Sequence, residues 1–279
     1  MFHKRYKVGK KIGKGSFGEV FQGTDIITNQ KIAIKIEPIE KKKISILQEE
    51  IKIYEKITQC YHVPQIIWHG KTDTNRILVM DLYGSSLETL KRKDFQFTVP
   101  IVSRLAIQIL QALQQVHDRK VLHRDLKPDN ILIGANRDIN HFYLVDFGLS
   151  KNFIRNGSHL EYREDKSFVG TLRYSSVKSH IGIQQSRRDD LESFGYVLIY
   201  LLQSDLPWTT GSSKDKEAKY KHIKLTKIVA RLQDLCKGIP IEFYQYLCYC
   251  KNLDFEETPN YEYLIQLFEK LLSSYNSAM

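Results

Sequence analysis

The stretch His123-Arg124-Asp125-Leu126-Lys127-Pro128-Asp129-Asn130 decides the reading of this chain. Each polar position in it has a task in moving a phosphoryl group. Asp125 can accept the proton of an attacking hydroxyl, Asn130 can hold a magnesium ion, and Lys127 can reach the charged equatorial oxygens of the group in transfer. Further along, Asp146-Phe147-Gly148 follows the short apolar run Tyr143-Leu144-Val145. Asp146 then offers the main magnesium carboxylate, and Gly148 lets the chain turn away. A helix cap or a loop salt bridge would explain Asp125 alone. Neither explains Asp125, Lys127, Asn130 and Asp146 in this order and beside strands.

Upstream lies Ile12-Gly13-Lys14-Gly15-Ser16-Phe17-Gly18-Glu19-Val20. Three glycines at this spacing let backbone N–H groups approach phosphate oxygens without Cβ collisions. Dinucleotide-binding folds share the spacing, but there the glycines open a helix. Here Val20 and Phe21 continue as strand, which predicts a hairpin over a nucleotide.

Ile32-Ala33-Ile34-Lys35 reads as a short buried strand ending in a lysine. That lysine can neutralise phosphate charge if a carboxylate orients it. Glu49 and Glu50 are the candidates, on a helix expected from about Ile44 to Ile57. At about 100° per residue, Glu50 shares a stripe with Leu47, Tyr54 and Ile57, and Glu49 falls outside it. A carboxylate on a buried face needs a partner, since burying it unpaired costs several kcal/mol. Glu50 is therefore matched with Lys35.

The rest of the pattern frames these motifs. About the first 80 residues read as strands, with Gln65–Trp68 and Arg76–Leu82 completing the set. From about residue 86 the pattern turns helical, at Val99–Val116, Asp189–Gln203, Tyr220–Cys236, Pro240–Cys250 and Tyr261–Leu272, broken only by short strands at Ile131–Ile133 and Phe142–Val145. This predicts an α+β, two-lobed domain over residues 1–279, with a β-rich lobe to about residue 82, a hinge at 80–84 and a helical lobe at 85–279.

Composition narrows the setting. Hydrophobic residues make up 42% and charged residues 27%, a globular rather than disordered balance. Cys60, Cys236, Cys248 and Cys250 form no Cys-x-x-Cys pair and suggest neither a zinc site nor a disulfide framework. Met1 to Tyr6 does not read as a signal peptide, and Tyr196–Leu202 is far too short to span a bilayer. The expected home is the cytoplasm, with the nucleus as a second compartment. A net charge of +10 suits an anionic partner. The cations are dispersed, with Lys41-Lys42-Lys43 the single run, so no specific nucleic-acid site is expected.

With these residues in view, the chain resembles the eukaryotic protein kinases over nearly its whole length, and most closely the casein kinase I family. Lys52-Ile53-Tyr54, Gly170-Thr171-Leu172-Arg173-Tyr174-Ser175-Ser176 in place of the usual Ala-Pro-Glu segment, and Gly182 to Ser193 carry the narrower likeness. The resemblance implies a monomeric serine/threonine kinase using ATP and Mg²⁺, active on acidic or phosphate-primed proteins. It implies that Ile12–Val20, Ala33 and Lys35 surround the nucleotide, that Met80 lines the pocket, and that the backbone at Asp81 and Tyr83 reads adenine. The family usually has glutamate and leucine where this chain has Asp81 and Tyr83. It places a substrate-phosphate pocket at Arg173 and Lys219, although the segment from Thr209 to Lys216 departs from the family. Lys127, and a Thr171 hydroxyl able to reach Asp125, favour Ser/Thr acceptors. Asp190 is expected to tie the catalytic loop in place. The long C-terminal tail of relatives is not expected, nor is the loss of chemistry seen in pseudokinases.

Overall fold

The computed structural model describes residues 3–15, 18–40, 44–209 and 215–277. Ser16, Phe17 and the run Lys41-Lys42-Lys43 lie outside the described residues, as do residues 210–214.

Five strands build the first lobe: β1 (Tyr6–Gly15), β2 (Gly18–Asp25), β3 (Lys31–Pro38), β4 (Ile66–Lys71) and β5 (Asn75–Asp81). They form one antiparallel sheet in the order β1-β2-β3-β5-β4. The pleat sends alternate side chains to opposite faces. Ile32, Ile34, Ile77 and Val79 pack with Tyr6 on one face, covered by Trp68. Ala33, Leu78 and Met80 join the main core on the other. Both faces are covered, which is why β3 reads as an unbroken apolar run. Lys35 falls inside this strand rather than at its end, because pairing with β5 continues to Pro38.

Helix α1 (Ile46–Lys56) lies between β3 and β4 in the chain. The Ser45 hydroxyl accepts from Gln48 N, and the Glu37 carboxylate accepts from Ile46 N and Leu47 N at 3.0 and 3.1 Å. These acceptors satisfy amides that have no intrahelical partner. Its buried stripe is Leu47, Glu50, Ile51, Ile53 and Tyr54.

The second lobe holds α2 (Leu87–Lys91), α3 (Val99–Asp118), α4 (Val177–His180), α5 (Arg187–Gln203), α6 (Lys216–Val229), α7 (Leu232–Leu235), α8 (Ile241–Asn252) and α9 (Tyr261–Ser277). Helix α5 is buried on nearly every side, and α3 and α8 pack against it. The two lobes share one core, which runs from Ala33 and Leu78 through α3 to α5. No helix among the described residues is long and apolar enough to cross a membrane.

Two expectations need correction. The helix expected from Tyr220 to Cys236 is two helices, parted at Ala230, whose ψ is 123°. At about 100° per residue an unbroken helix would swing Cys236 to the side of the exposed Leu225; the break instead buries Leu235 and Cys236. The second lobe also contains more strand than expected. Besides β7 (Ile131–Ile133) and β8 (Phe142–Leu144), β6 (Val121–Leu122) pairs with β9 (Lys151–Asn152), and β10 (Ile154–Arg155) pairs with β11 (Ser158–His159). Two-residue strands carry no periodicity a sequence can display.

Candidate active site

Strand β3 delivers Lys35 to the face shared with α1. Its Nζ donates to Glu50 at 2.6 and 2.9 Å and to Asp146 Oδ1 at 2.9 Å. Burial alone would favour the neutral amine, but the two carboxylates outweigh it and hold the Lys35 pKa above its ordinary value. Desolvation pushes fully buried Glu50 upward, against the pull of Lys35. Glu49 pairs on the surface with Lys52 instead, as its helix phase requires.

Asp146 lies just beyond β8. Burial works against its charge, yet the Lys35 ammonium keeps its pKa below the usual carboxylate value. Its backbone N–H donates to Tyr54 Oη at 3.3 Å, and Phe147 packs edge-on between Tyr54 and His123. Helix α1 therefore grips the Asp146-Phe147 pair through both Glu50 and Tyr54. Tyr54 was legible only as part of an apolar stripe; a hydroxyl on that stripe is the signal of a second task.

The loop holding Asp125 is fixed from beneath. Asp190, at the start of α5, accepts from His123 N at 2.7 Å, Arg124 N at 2.8 Å and His117 Nε2 at 2.9 Å. Burial opposes its ionisation, but these donors hold its pKa low. Arg124 and Asp146 have φ of 67° and 65°, a left-handed conformation costly for residues with a side chain. Arg124 immediately precedes the candidate base, and both residues are restrained by the bonds just described. Asp190 thus ties the loop, as expected.

Around Asp125 the donors converge. Lys127 Nζ donates to Oδ2 and Thr171 Oγ1 to Oδ1, each at 2.6 Å, and Asn130 Nδ2 donates to the Asp125 carbonyl at 2.9 Å. Asn130 O accepts from Val145 N at 2.9 Å, which lays the loop alongside the residue preceding Asp146. Gly170 makes this approach possible: its φ is 115°, and a Cβ there would lie 2.7 Å from Arg124 O.

The glycine-rich segment is the expected hairpin, with Gly13 opposite Val20 and Gly15 opposite Gly18. A Cβ on Gly18 would lie 2.5 Å from Ile36 O, so only glycine lets β2 run this close to β3. Ile12 and Lys14 are exposed, and Glu19 pairs with Lys11. Residues 6–275 match the protein kinase domain family. The chain belongs to that family.

As a protein kinase it uses ATP and a divalent metal cation to phosphorylate proteins. The cleft residues fit both. Asp146 Oδ2 and Asn130 Oδ1 take no hydrogen bond among the described residues, leaving oxygen ligands of the kind a hard cation accepts together with phosphate oxygens. No cluster of three or more His, Cys, Asp or Glu suited to a metal occurs among the described residues. A cation that shares its coordination with nucleotide and water needs none.

The segment after β5 brings two of its side chains together. Tyr83 and Asp81 touch: Tyr83 Oη donates to Asp81 Oδ2 at 3.4 Å, and Gln65 N donates to the same oxygen at 3.1 Å. The Tyr83 ring stacks on Tyr143 at 3.7 Å. Asp81 and Tyr83 thus form one local arrangement, which turns the tyrosine ring onto β8. The Tyr83 backbone N–H and C=O take no partner among the described residues, while Met80 is buried above the cleft-side core.

Arg173 and Lys219 are less closely joined. Arg173 is half-buried, its guanidinium 5.5 Å from the Tyr200 ring, and it forms no salt bridge among the described residues. Lys219 is exposed on the first turns of α6. No direct contact links the two side chains among the described residues, although α6 packs against the loop that bears Arg173.

Proposed function

We propose that this kinase is a casein kinase I-like enzyme that transfers the γ-phosphate of Mg-ATP to serine and threonine in acidic or phosphate-primed proteins. Asp125 is the base, Lys127 stabilises the phosphoryl group in transfer, and Lys35, oriented by Glu50, meets the nucleotide phosphates. Asn130 and Asp146 hold Mg²⁺. Ile12–Val20, Ala33, Met80 and the backbone at Asp81 and Tyr83 enclose the nucleotide. Bound Mg-ATP supplies the transferable phosphoryl group and much of the charge neutralisation.

One observation carries the reading: Asp125 is oriented from both sides, by Lys127 and by Thr171, at 2.6 Å each. Thr171 shares its loop with Arg173, and the acceptor alcohol is assigned to the side of Asp125 that this loop faces. Arg173 and Lys219 support the preference for anionic substrates. Neither forms a salt bridge among the described residues, although Asp205 acts on Arg173 at longer range, and guanidinium–phosphate pairing is charge-assisted. The net charge of +10 acts in the same direction at longer range. The enzyme acts as a monomer in cytoplasm and nucleus.

A peptide array offering primed and unprimed serine, threonine and tyrosine acceptors with Mg-ATP tests this. Primed or acidic serine peptides should be preferred, and Asp125→Asn should lower transfer by about 10²–10⁴. Undiminished transfer by Asp125→Asn, or a preference for tyrosine, would refute the proposal.

A further inference from the structure

Lys227 lies on the buried side of α6 and is 1% exposed. Its Nζ donates to Leu172 O at 2.9 Å and to Ser175 O at 2.6 Å, and sits 3.2 Å from His180 Nε2. The rings of Tyr196 and Trp208 flank it at 5.1 and 5.0 Å. No carboxylate touches it among the described residues. Glu192 is engaged with Val177 N and the Tyr196 hydroxyl. Burial accordingly drives the Lys227 pKa well down, with Glu192 opposing.

As a core residue this lysine is a poor choice. An apolar side chain of similar length would fill the space without removing an ammonium group from water, which costs several kcal/mol. What the lysine does that methionine cannot is grip two carbonyls of one loop. That loop also carries Thr171, which bonds Asp125, and Arg173, whose carbonyl accepts from Trp208 Nε1 at 2.7 Å. Three carbonyls of the acceptor-side loop are therefore held by Lys227 and Trp208. The nucleotide-side residues Lys35, Glu50 and Asp146 make no contact with either.

We propose that Lys227, assisted by Trp208, is a positioning residue for the protein substrate: it sets the Leu172–Ser175 loop so that Thr171 and Arg173 present the acceptor to Asp125. The consequence is a split between substrates. Phosphorylation of a protein needs the loop in place. Hydrolysis of ATP by water, using the same nucleotide-side residues, does not.

The test compares wild type, Lys227→Met and Trp208→Phe in two assays, phosphorylation of casein and intrinsic hydrolysis of ATP. Both variants should lose roughly tenfold or more in kcat/KM for casein, since small misplacements of an acceptor are costly. ATP hydrolysis and KM for ATP should stay within about twofold. A parallel fall in both activities would make the roles merely structural and overturn the proposal, as would undiminished casein phosphorylation. If Lys227→Met does not fold, Trp208→Phe decides the matter through the same split. The inference rests on the phosphotransfer reading above. Wild-type protein that hydrolyses ATP but modifies no casein would sink that reading, whereas active wild type with indistinguishable variants would sink this one.

Discussion

Thr171 Oγ1 donates to Asp125 Oδ1 at 2.6 Å across a sequence separation of 46 residues. This bond joins the loop that holds Asp125, the proposed base, to the loop that carries Arg173. A hydrogen bond to a charged group is worth about 1.5–3 kcal/mol. Thr171→Val keeps the shape and removes the donor, so kcat for peptide phosphorylation should fall roughly 10- to 100-fold. Thr171→Ser should restore most of it. Steady-state kinetics on a serine peptide will show whether the bond contributes to turnover.

Lys35 and Glu50 form a buried ion pair in the cleft, with side chains 8% and 1% exposed. Lys35→Met strands the Glu50 carboxylate without its partner. Breaking a buried pair in this way costs about 3–5 kcal/mol. The lower end applies here, because Asp146, the third member, is partly open to solvent. The double variant Lys35→Met/Glu50→Leu should regain much of the lost stability and none of the activity. Urea unfolding beside a phosphorylation assay separates the two effects; a double variant no more stable than the single one would contradict the pairing energetics.

Much of this site could be read from the chain because its residues break the periodicity around them. Glu50 was assigned to Lys35 since a carboxylate on an apolar stripe demands a partner. Lys227 carries the same signal: with Tyr220 and Ile223 it lies on the inward stripe of α6. It went unread because its partners are main-chain carbonyls, which have no letter in the sequence. The contact of Tyr83 with Asp81 and Tyr143 was hidden for a related reason, since it depends on how β8 passes under the connector. The break at Ala230 was hidden because no glycine or proline marks it. The hairpin of the first lobe, by contrast, was plain from the β-branched Val20 that follows its glycines.

Gly170 has a φ of 115°, and an added Cβ would fall 2.7 Å from Arg124 O and 2.9 Å from Ser175 Oγ. Relief of that clash moves either the Arg124 backbone of the loop bearing Asp125 or the loop that Lys227 grips. Gly170→Ala should therefore destabilise the fold by about 1–3 kcal/mol and lower peptide phosphorylation more steeply than it lowers thermal stability. A variant with full activity and an unchanged melting temperature would show that the backbone can give way here at no cost.

His180 and Asp189 pull stability in opposite directions as the medium turns acid. Burial, and secondarily the Lys227 amine, lowers the His180 pKa to about 3, whereas the unfolded chain binds this proton near the ordinary value of 6.5. Between those values the unfolded state holds more protons, so the His180 contribution is intact above pH 6.5 and is lost progressively as pH falls toward 3. Burial pushes Asp189 up to about 6, even though Ser176 Oγ and Ser186 N donate to it. There the folded state holds the extra proton, so its contribution is present below the unfolded value of 3.8 and is lost as pH rises through about 6. From pH 7 to 5 the His180 effect amounts to roughly 2 kcal/mol and the Asp189 effect to about 1 kcal/mol with the opposite sign. His180→Gln should therefore gain on wild type by about 2 kcal/mol when urea unfolding is moved from pH 7 to pH 5. Asp189→Asn should lose ground over the same interval, and parallel pH profiles for all three proteins would show that neither group is held in the protonation state its burial requires.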